Sequence, residues 1–341
     1  MGVLSGESSG LGAGALPRAA PSHDDRRWMD AALALGERGR GRAAPNPNVG
    51  CVIVRDGIVI GRGWTQPGGR PHAEAMALAQ AGVGARGATA YVTLEPCAHV
   101  SARGPACAAL LVEAGVARVV VALGDPDPRT NGAGIALLRY AGITVEVGPG
   151  ATGAARAMAG FLTRRARARP HVTLKLATSL DGCIALADGT SRWITGAESR
   201  AHAHLERARA DAILVGRGTY DADAPRLDVR LAGLEDRTPH RVLLTGGAVP
   251  DGWAAISSPD AAAGLAGVDW LLVEGGAQTA AAFLRADLVD RLLLYRAPIV
   301  IGGRQSVGDI GLADLGPAHG RWRRIDTRRL GTDTLEVYER A

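Results

Sequence analysis

Two α/β domains in series are what this sequence predicts, on three observations. Short apolar strands alternate with helices of about ten residues along most of the chain, the pattern of largely parallel sheets covered by helices. The 341 residues, 47% of them apolar, suffice for about two cores. An arginine-rich stretch, RRARAR at 164–169, interrupts the alternation near the middle. The division these observations predict is a flexible tail over 1–22, a first domain over 23–150, a helical connector over 151–170 and a second domain over 171–341.

The opening MGVLSGESSGLGAGALPRAAPS has neither the long apolar stretch nor the cleavage site of a leader and reads as a loose tail. DDRRWMDAALALGERGR, with apolar positions three and four apart, predicts the first helix. VGCVIV and IVIGRGW flank Asp56-Gly57, a two-residue hairpin turn. PHAEAMALAQAG then reads as a helix, ATAYVTL as a strand, CAALLVEAG as a helix and ARVVVAL as a strand. GIALLRYAG and ITVEVG close the unit near Gly150. A helix through ARAMAGFLTRRARARP follows, its arginines read as a solvated face. The second series contains the strands HVTLKLAT, DAILVG, HRVLLTG, DWLLVEGG, DRLLLYRAPIV and TDTLEVYER, with helices ESRAHAHLERARA and AQTAAAFLRA between them. No internal repeat is evident.

Composition narrows the function. The net charge of +5 is carried by arginine, Lys175 being the only lysine. Arginine's planar fork suits a phosphorylated ligand, although an Ala, Arg and Gly bias also follows from genome composition. Aromatics make up 4% of the chain, too few for a base-stacking nucleic-acid face. No apolar run approaches the roughly 18 to 20 residues of a membrane helix. Four cysteines in so long a chain are no disulfide framework, so free thiols and a cytoplasmic setting are expected.

Two of those cysteines stand in TLEPCAHVSARGPAC, residues 93–107, and PHAE lies upstream. His72, Cys97 and Cys107 supply three zinc ligands, and a vacant fourth position describes a catalytic zinc. Such a metal lowers the pKa of its water to about 7. Glu74 fits the carboxylate that shuttles a proton in zinc deaminases, whose signature is H-x-E followed by P-C. Residues two apart on a helix diverge by roughly 200°. His72 and Glu74 therefore share a site only if His72 stands at the helix entrance, which Pro71 favours. Cys107 opens the next helix, whose dipole is expected to favour its thiolate. Singly, each residue has a plainer meaning, a surface histidine or a small core cysteine; together they carry the deaminase reading. The compact deaminase pattern puts two residues between its cysteines. Nine stand here, so AHVSARGPA is expected to hang over the metal as a lid or substrate wall.

From about Asp24 onward the chain also carries PNPNVGCVIV, GDPDPRTNGAGIALLRYAGI, KLATSLDG, SRWITG, DAILVGRGTYDADAPRL and VEGGA. With these it resembles the bifunctional deaminase and reductase of riboflavin biosynthesis. The resemblance implies an α/β cytidine-deaminase-like first domain and a dihydrofolate-reductase-like second domain. It implies deamination of a phosphorylated diamino-pyrimidinone, then reduction of its ribose to a ribityl chain by NADPH. Carried over by position, His72, Cys97 and Cys107 match the zinc ligands, Glu74 the proton shuttle and Asn46 a polar residue of the pyrimidine pocket. Ala177, Trp193, Thr219, Asp223 and the stretch beginning at Gly276 match NADP positions. Ser191, Arg207, Leu227, Arg230 and Glu274 match substrate positions. Zn2+ and NADPH are thus the implied cofactors and a small phosphorylated pyrimidine the partner. A homo-oligomer is expected, with no nucleic acid or membrane partner. The family's loop before the second cysteine is usually one residue shorter, so VSARGPAC keeps Cys107 as the matching ligand while the family's substrate contacts in this loop do not carry over.

The residues themselves support these assignments unevenly. VEGGA is a strand ending in two glycines before a helix, which lets backbone amides approach a pyrophosphate. Arg207 and Arg230 can pair with phosphate or be solvated, Trp193 can be core, and Asn46 beside two prolines also fits turn chemistry. Lys175 stands opposite Val172, Leu174 and Leu176 by strand alternation, as an ammonium near the cofactor or by chance. Two rivals remain open. A nucleic-acid deaminase that flips a base gives no reason for residues 170–341. A structural zinc module fused to a ligand-binding domain needs a fourth ligand, for which His99 is the nearby candidate.

Overall fold

The computed structural model describes residues 22–341. The tail expected over 1–22 lies, apart from Ser22, outside the described residues. Ser22 caps helix α1 (His23–Gly36), its hydroxyl accepting the Asp25 N–H at 3.1 Å. Strands β1 (Gly50–Arg55) and β2 (Ile58–Trp64) meet at Asp56 and Gly57, whose φ angles of 51° and 71° are those of the expected hairpin turn. Then come α2 (Ala73–Ala81), β3 (Thr89–Val92), α3 (Cys107–Ala114), β4 (Arg118–Val121), α4 (Ala133–Tyr140) and β5 (Thr144–Val147). The sheet order is β2-β1-β3-β4-β5, with β1 antiparallel to both neighbours and β3, β4 and β5 mutually parallel. A Cβ on Gly61 or Gly63 would come within 2.2 or 2.1 Å of the Ala77 or Ala73 carbonyl oxygen. These two glycines let α2 lie directly on β2, which fixes the entrance of α2.

Helices α5 (Ala151–Ala157) and α6 (Ala159–Arg167) break at Met158, where φ is −109° and ψ 17°. Ala154, Met158 and Phe161 are buried in the first core, so the connector forms a wall of that domain instead of a free spacer. Its arginines, expected to be solvated, have fixed partners. Arg164 donates to the carbonyls of Ala263 and Leu265 at 2.9 and 3.0 Å and also to that of Val268. Arg169 forks Asp290 at 2.6 and 2.8 Å. The cause is location: α6 packs between two domains, where carbonyls and carboxylates need donors.

The second domain contains β6 (His171–Thr178), β7 (Cys183–Ala185), α7 (Ala197–Ala208), β8 (Ala212–Gly216), α8 (Arg217–Asp223), β9 (His240–Leu244), β10 (Ala254–Ile256) and β11 (Trp270–Val273). It continues with α9 (Ala277–Arg285), β12 (Val289–Arg296), β13 (Arg304–Gln305), β14 (Trp322–Leu330) and β15 (Asp333–Arg340). The main sheet runs β10-β9-β8-β11-β6-β12-β15-β14, parallel from β10 to β12 and antiparallel beyond. The carboxyl ends of β6, β8, β9 and β11 thus share one edge, where α/β sheets bind ligands. Four strands escaped the sequence reading. Three are only two or three residues long, and β14, WRRIDTRRL, is a charged edge strand without an apolar face. Between the domains the Arg40 guanidinium stacks on Trp270 at 3.8 Å, and Gly160 lies against the same indole.

Two candidate active sites

His72 is the N-cap of α2, with extended backbone angles of −72° and 161°, and Glu74 lies in the first turn. The side chain of His72 therefore leaves the helical spiral and shares a site with Glu74, as Pro71 suggested. Cys97 follows the carboxyl end of β3, and Cys107 is the first residue of α3. His72 Nδ1 lies 3.3 Å from Cys107 Sγ and 3.6 Å from Cys97 Sγ, and the three ligand atoms fall within 4.8 Å of one another. Tetrahedral zinc, with bonds of about 2.3 Å to sulfur and about 2.0 Å to nitrogen, sets an N···S edge of about 3.5 Å. The three residues therefore fit a zinc ion. His72 Nε2 meets Asn46 Nδ2 at 2.8 Å, and that amide also donates to the Gly69 carbonyl at 2.9 Å. Asn46 thus stands against the ring edge of His72 as well as lining the pocket, a placement that turn chemistry alone does not explain. His99 lies outside the cluster, its Nδ1 being 3.4 Å from Thr130 Oγ1.

Burial governs the electrostatics. Glu74 is 3% exposed, and burial raises its carboxyl to about 6, with His72 opposing the rise. The entrance of α3 also serves the other sulfur: the Cys107 N–H donates to Cys97 Sγ at 3.3 Å. Cys97 is the thiolate-favouring member, stabilised first by the Cys107 thiol, while Cys107 is pushed up by donating to it and by burial. Glu95, in the same TLEPC stretch, is structural. Its carboxylate accepts the backbone N–H groups of Asp125, Gly132 and Ile135 at 3.2, 3.0 and 3.1 Å, which ties the end of β3 to the start of α4.

A pocket of about 270 Å³ opens onto this cluster, with Asn46, His72, Glu74 and Cys97 in its lining. Ser101 and Arg103 place the long inter-cysteine loop in its wall, and Arg103 donates to the Gly68 carbonyl. Asp127, Arg129, Phe161 and Arg165 complete the wall and were not singled out from the sequence. GDPDPR carried a signal, being charged residues just after a strand; for Phe161 and Arg165 no local signal existed.

In the second domain two adjoining cavities, of about 500 and 910 Å³, share Lys175, Ala177, Ser191, Thr219, Asp223 and Glu274 and form one cleft. Trp193, Arg207, Leu227 and Arg230 line the smaller part, and Gly276 the larger. All eleven residues expected here therefore face one cleft, at the carboxyl ends of the parallel strands. Trp193 is 65% exposed, so it is no core residue, and the Arg200 guanidinium covers it at 4.9 Å. The Gly276 N–H donates to Thr219 Oγ1 at 3.1 Å, which joins the entrances of α8 and α9. The fork of Arg207, a candidate for phosphate, is filled by Glu274 at 2.7 and 2.8 Å. Lys175 Nζ stands 3.8 Å from the same carboxylate. Burial alone would raise Glu274, but Arg207 and Lys175 hold it down at about 2. Leu227 is buried with a left-handed φ of 55°, an uncommon conformation for its residue type. Arg217 and Arg304 also line the larger cavity, and sequence reading passed over both.

Comparison with known proteins bears on both sites. Residues 22–123 match the cytidine and deoxycytidylate deaminase zinc-binding region, and residues 170–251 and 261–335 match the RibD C-terminal domain. The riboflavin biosynthesis protein RibD of Aquifex aeolicus is 36% identical, over 93% of this chain and 98% of the relative. That of Escherichia coli is 38% identical, over 82% and 89%. Among solved structures, RibD of Acinetobacter baumannii superposes with a TM-score of 0.83 at 36% identity, covering 93% of this chain and 99% of that one. A diaminohydroxyphosphoribosylaminopyrimidine deaminase/5-amino-6-(5-phosphoribosylamino)uracil reductase of Thermotoga maritima gives 0.82 at 30% identity, covering 94% and 99%.

Proposed function

The chain belongs to the RibD family of riboflavin biosynthesis, a deaminase and a reductase in one polypeptide, and from that premise we propose how its two sites divide the work. The first domain hydrolyses an amino group from a diamino-pyrimidinone that carries a phosphoribosylamino group. The second, a dihydrofolate-reductase-like domain, reduces the ribosyl chain of the product to ribityl with NADPH. The observation that carries the first half is the cluster of His72, Cys97 and Cys107 with Glu74 buried beside it.

Zinc, when held by those three residues, supplies an activated water at neutral pH. Glu74 takes a proton from the attacking water on its carboxylate and returns it to the departing amino nitrogen. Burial favours the protonated form of this carboxyl, which suits a group that must carry a proton between water and amine. Asn46 stands beside the His72 ring and presents its amide to the pyrimidine. His72, Cys97 and Cys107 leave one position open, as a catalytic site requires.

In the second domain the entrance of α9 faces the cleft as a place for a pyrophosphate, and Thr219 fixes that turn by accepting the Gly276 N–H. NADPH supplies the hydride. Lys175 and Glu274 stand where the two parts of the cleft meet, so the substrate's reacting carbon belongs beside them. Lysine suits that place because the Glu274 carboxylate already accepts a guanidinium fork, and a compact ammonium shares it where a second fork would crowd. If Lys175→Arg turns over the deaminated substrate at the parent rate, this role is wrong.

A homo-oligomer in a reducing compartment belongs to the same reading. The four buried free thiols suit such a compartment, and exposed Leu180, Ile299 and Val300 offer an apolar contact. Among the described residues no helix is long and apolar enough to cross a membrane. The decisive experiment is incubation with the diamino-pyrimidinone phosphoribosyl compound, with and without NADPH, following ammonia and cofactor absorbance. Ammonia should appear in both, and cofactor oxidation should follow it. A chain that releases no ammonia is not the deaminase proposed.

A further inference from the structure

Phe161 and Arg165 of the connector helix α6 stand in the wall of the deaminase pocket. Phe161 is 5% exposed and anchored in the first core, which fixes the position of Arg165 one turn further on. The Arg165 guanidinium carbon lies 5.3 Å from the Phe161 ring, and its Nη2 donates to Asp127 at 3.1 Å. That carboxylate is already engaged by Arg129, through Nε at 3.0 Å, Nη2 at 2.6 Å and the backbone N–H at 3.0 Å. One carboxylate thus accepts from two guanidiniums, with Asp125 the further acid on this side of the pocket. The bond to Asp127 uses one of the five donors of Arg165, whose side chain remains 41% exposed.

We propose that Arg165 grips the substrate's phosphate during deamination, so that a residue of the interdomain helix sets the first domain's preference for a phosphorylated pyrimidine. This rests on the reading that the first substrate carries a phosphoribosyl group. A guanidinium matches phosphate geometry with two parallel hydrogen bonds. The contact with Asp127 holds the side chain in place beforehand, which lowers the ordering cost of binding. Phosphate does not compete with Asp127, since that carboxylate retains Arg129.

The test uses the full zinc-loaded chain and two substrates, the phosphorylated compound and its dephosphorylated ribosylamino counterpart, with ammonia release as the readout. Arg165→Ala should raise KM for the phosphorylated substrate by roughly 10-fold or more, with kcat changed by no more than about twofold. Kinetics on the dephosphorylated substrate should not change, and Arg165→Lys should recover part of the loss. Arg167→Ala, altering an exposed arginine of the same helix, should change neither. An equal rise in KM for both substrates would make Arg165 a wall element and overturn the inference. So would an unchanged KM alongside normal turnover by the parent. A parent that releases no ammonia from the phosphorylated compound overturns the functional reading, and this inference with it.

Discussion

Cys97 and Glu74 are 7% and 3% exposed at a pocket of about 270 Å³, whereas Lys175 and Trp193 stand in a cleft whose two parts measure about 500 and 910 Å³. The smaller site is made by His72 and Cys107 at helix entrances and Cys97 beyond a strand end, at spacings that fit a zinc ion. The larger is made by strand ends, glycine amides and one buried ion pair, Arg207 with Glu274. The difference follows from what each must hold. On the proposed reading, a metal and a planar ring need a few atoms at fixed distances, whereas a dinucleotide and a sugar phosphate need length, which a row of parallel strand ends provides.

If the two sites are as independent as this construction implies, each can be destroyed alone. The largest effect should come from Cys97→Ser or Cys107→Ser, which removes a ligand from a three-residue site. Zinc content, about one per chain in the parent, should fall to a trace and ammonia release should cease, while reduction of pre-deaminated substrate persists. Full deamination by metal-free protein would break the contrast at its first term.

Glu74→Gln sharpens it. An amide of the same shape leaves three ligands untouched, so metal analysis should find normal zinc while ammonia release drops by about 10²- to 10⁴-fold or more. The reductase should keep its rate on deaminated substrate. Loss of zinc in this variant would make Glu74 a ligand.

The smallest effect belongs to the second site and appears as stability. Glu274→Gln leaves the buried fork of Arg207 without its charge partner, and breaking such a pair costs about 3–5 kcal/mol. Calorimetry should show the second domain melting earlier and the first unchanged. Because Arg207 and Lys175 depress Glu274 to about 2, its ionisation supports folding above the ordinary carboxyl value near 4.5. That support fades as pH falls towards 2, and Glu274→Gln should lack this part of the pH profile. An identical acid profile in parent and variant would show that the pair contributes nothing.

How far the sequence disclosed these sites follows from the same difference. His72, Cys97, Cys107 and Glu74 were legible because ligand chemistry demands those residue types at short range, and Pro71 betrayed the helix entrance. That the start of α3 also serves Cys97 lay outside the sequence's reach, because its N–H reaches back across a loop, beyond what sequence adjacency shows. The reductase residues, which the resemblance implies as separate ligands, line one cleft. That Arg207 and Glu274 bind each other is a tertiary fact, since 66 residues stand between them. Arg165 was hidden for the opposite reason: in a chain so rich in arginine, a run such as RRARAR looks like solvated surface. The boundary near Gly150 followed the end of β5, yet the first core continues through Phe161, because helices with little strand context can pack on either neighbour.

Trp270 offers a way to watch the two halves of the chain together. Its indole, 6% exposed, is covered by the Arg40 guanidinium from the first domain and abutted by Gly160 of the connector, while its own strand belongs to the second domain. Any loosening of the domains would bare that ring to water and redden its fluorescence. Subtracting the spectrum of a Trp270→Phe protein isolates this one chromophore from the other five tryptophans. The interface thereby carries an intrinsic optical gauge, readable while either reaction is running.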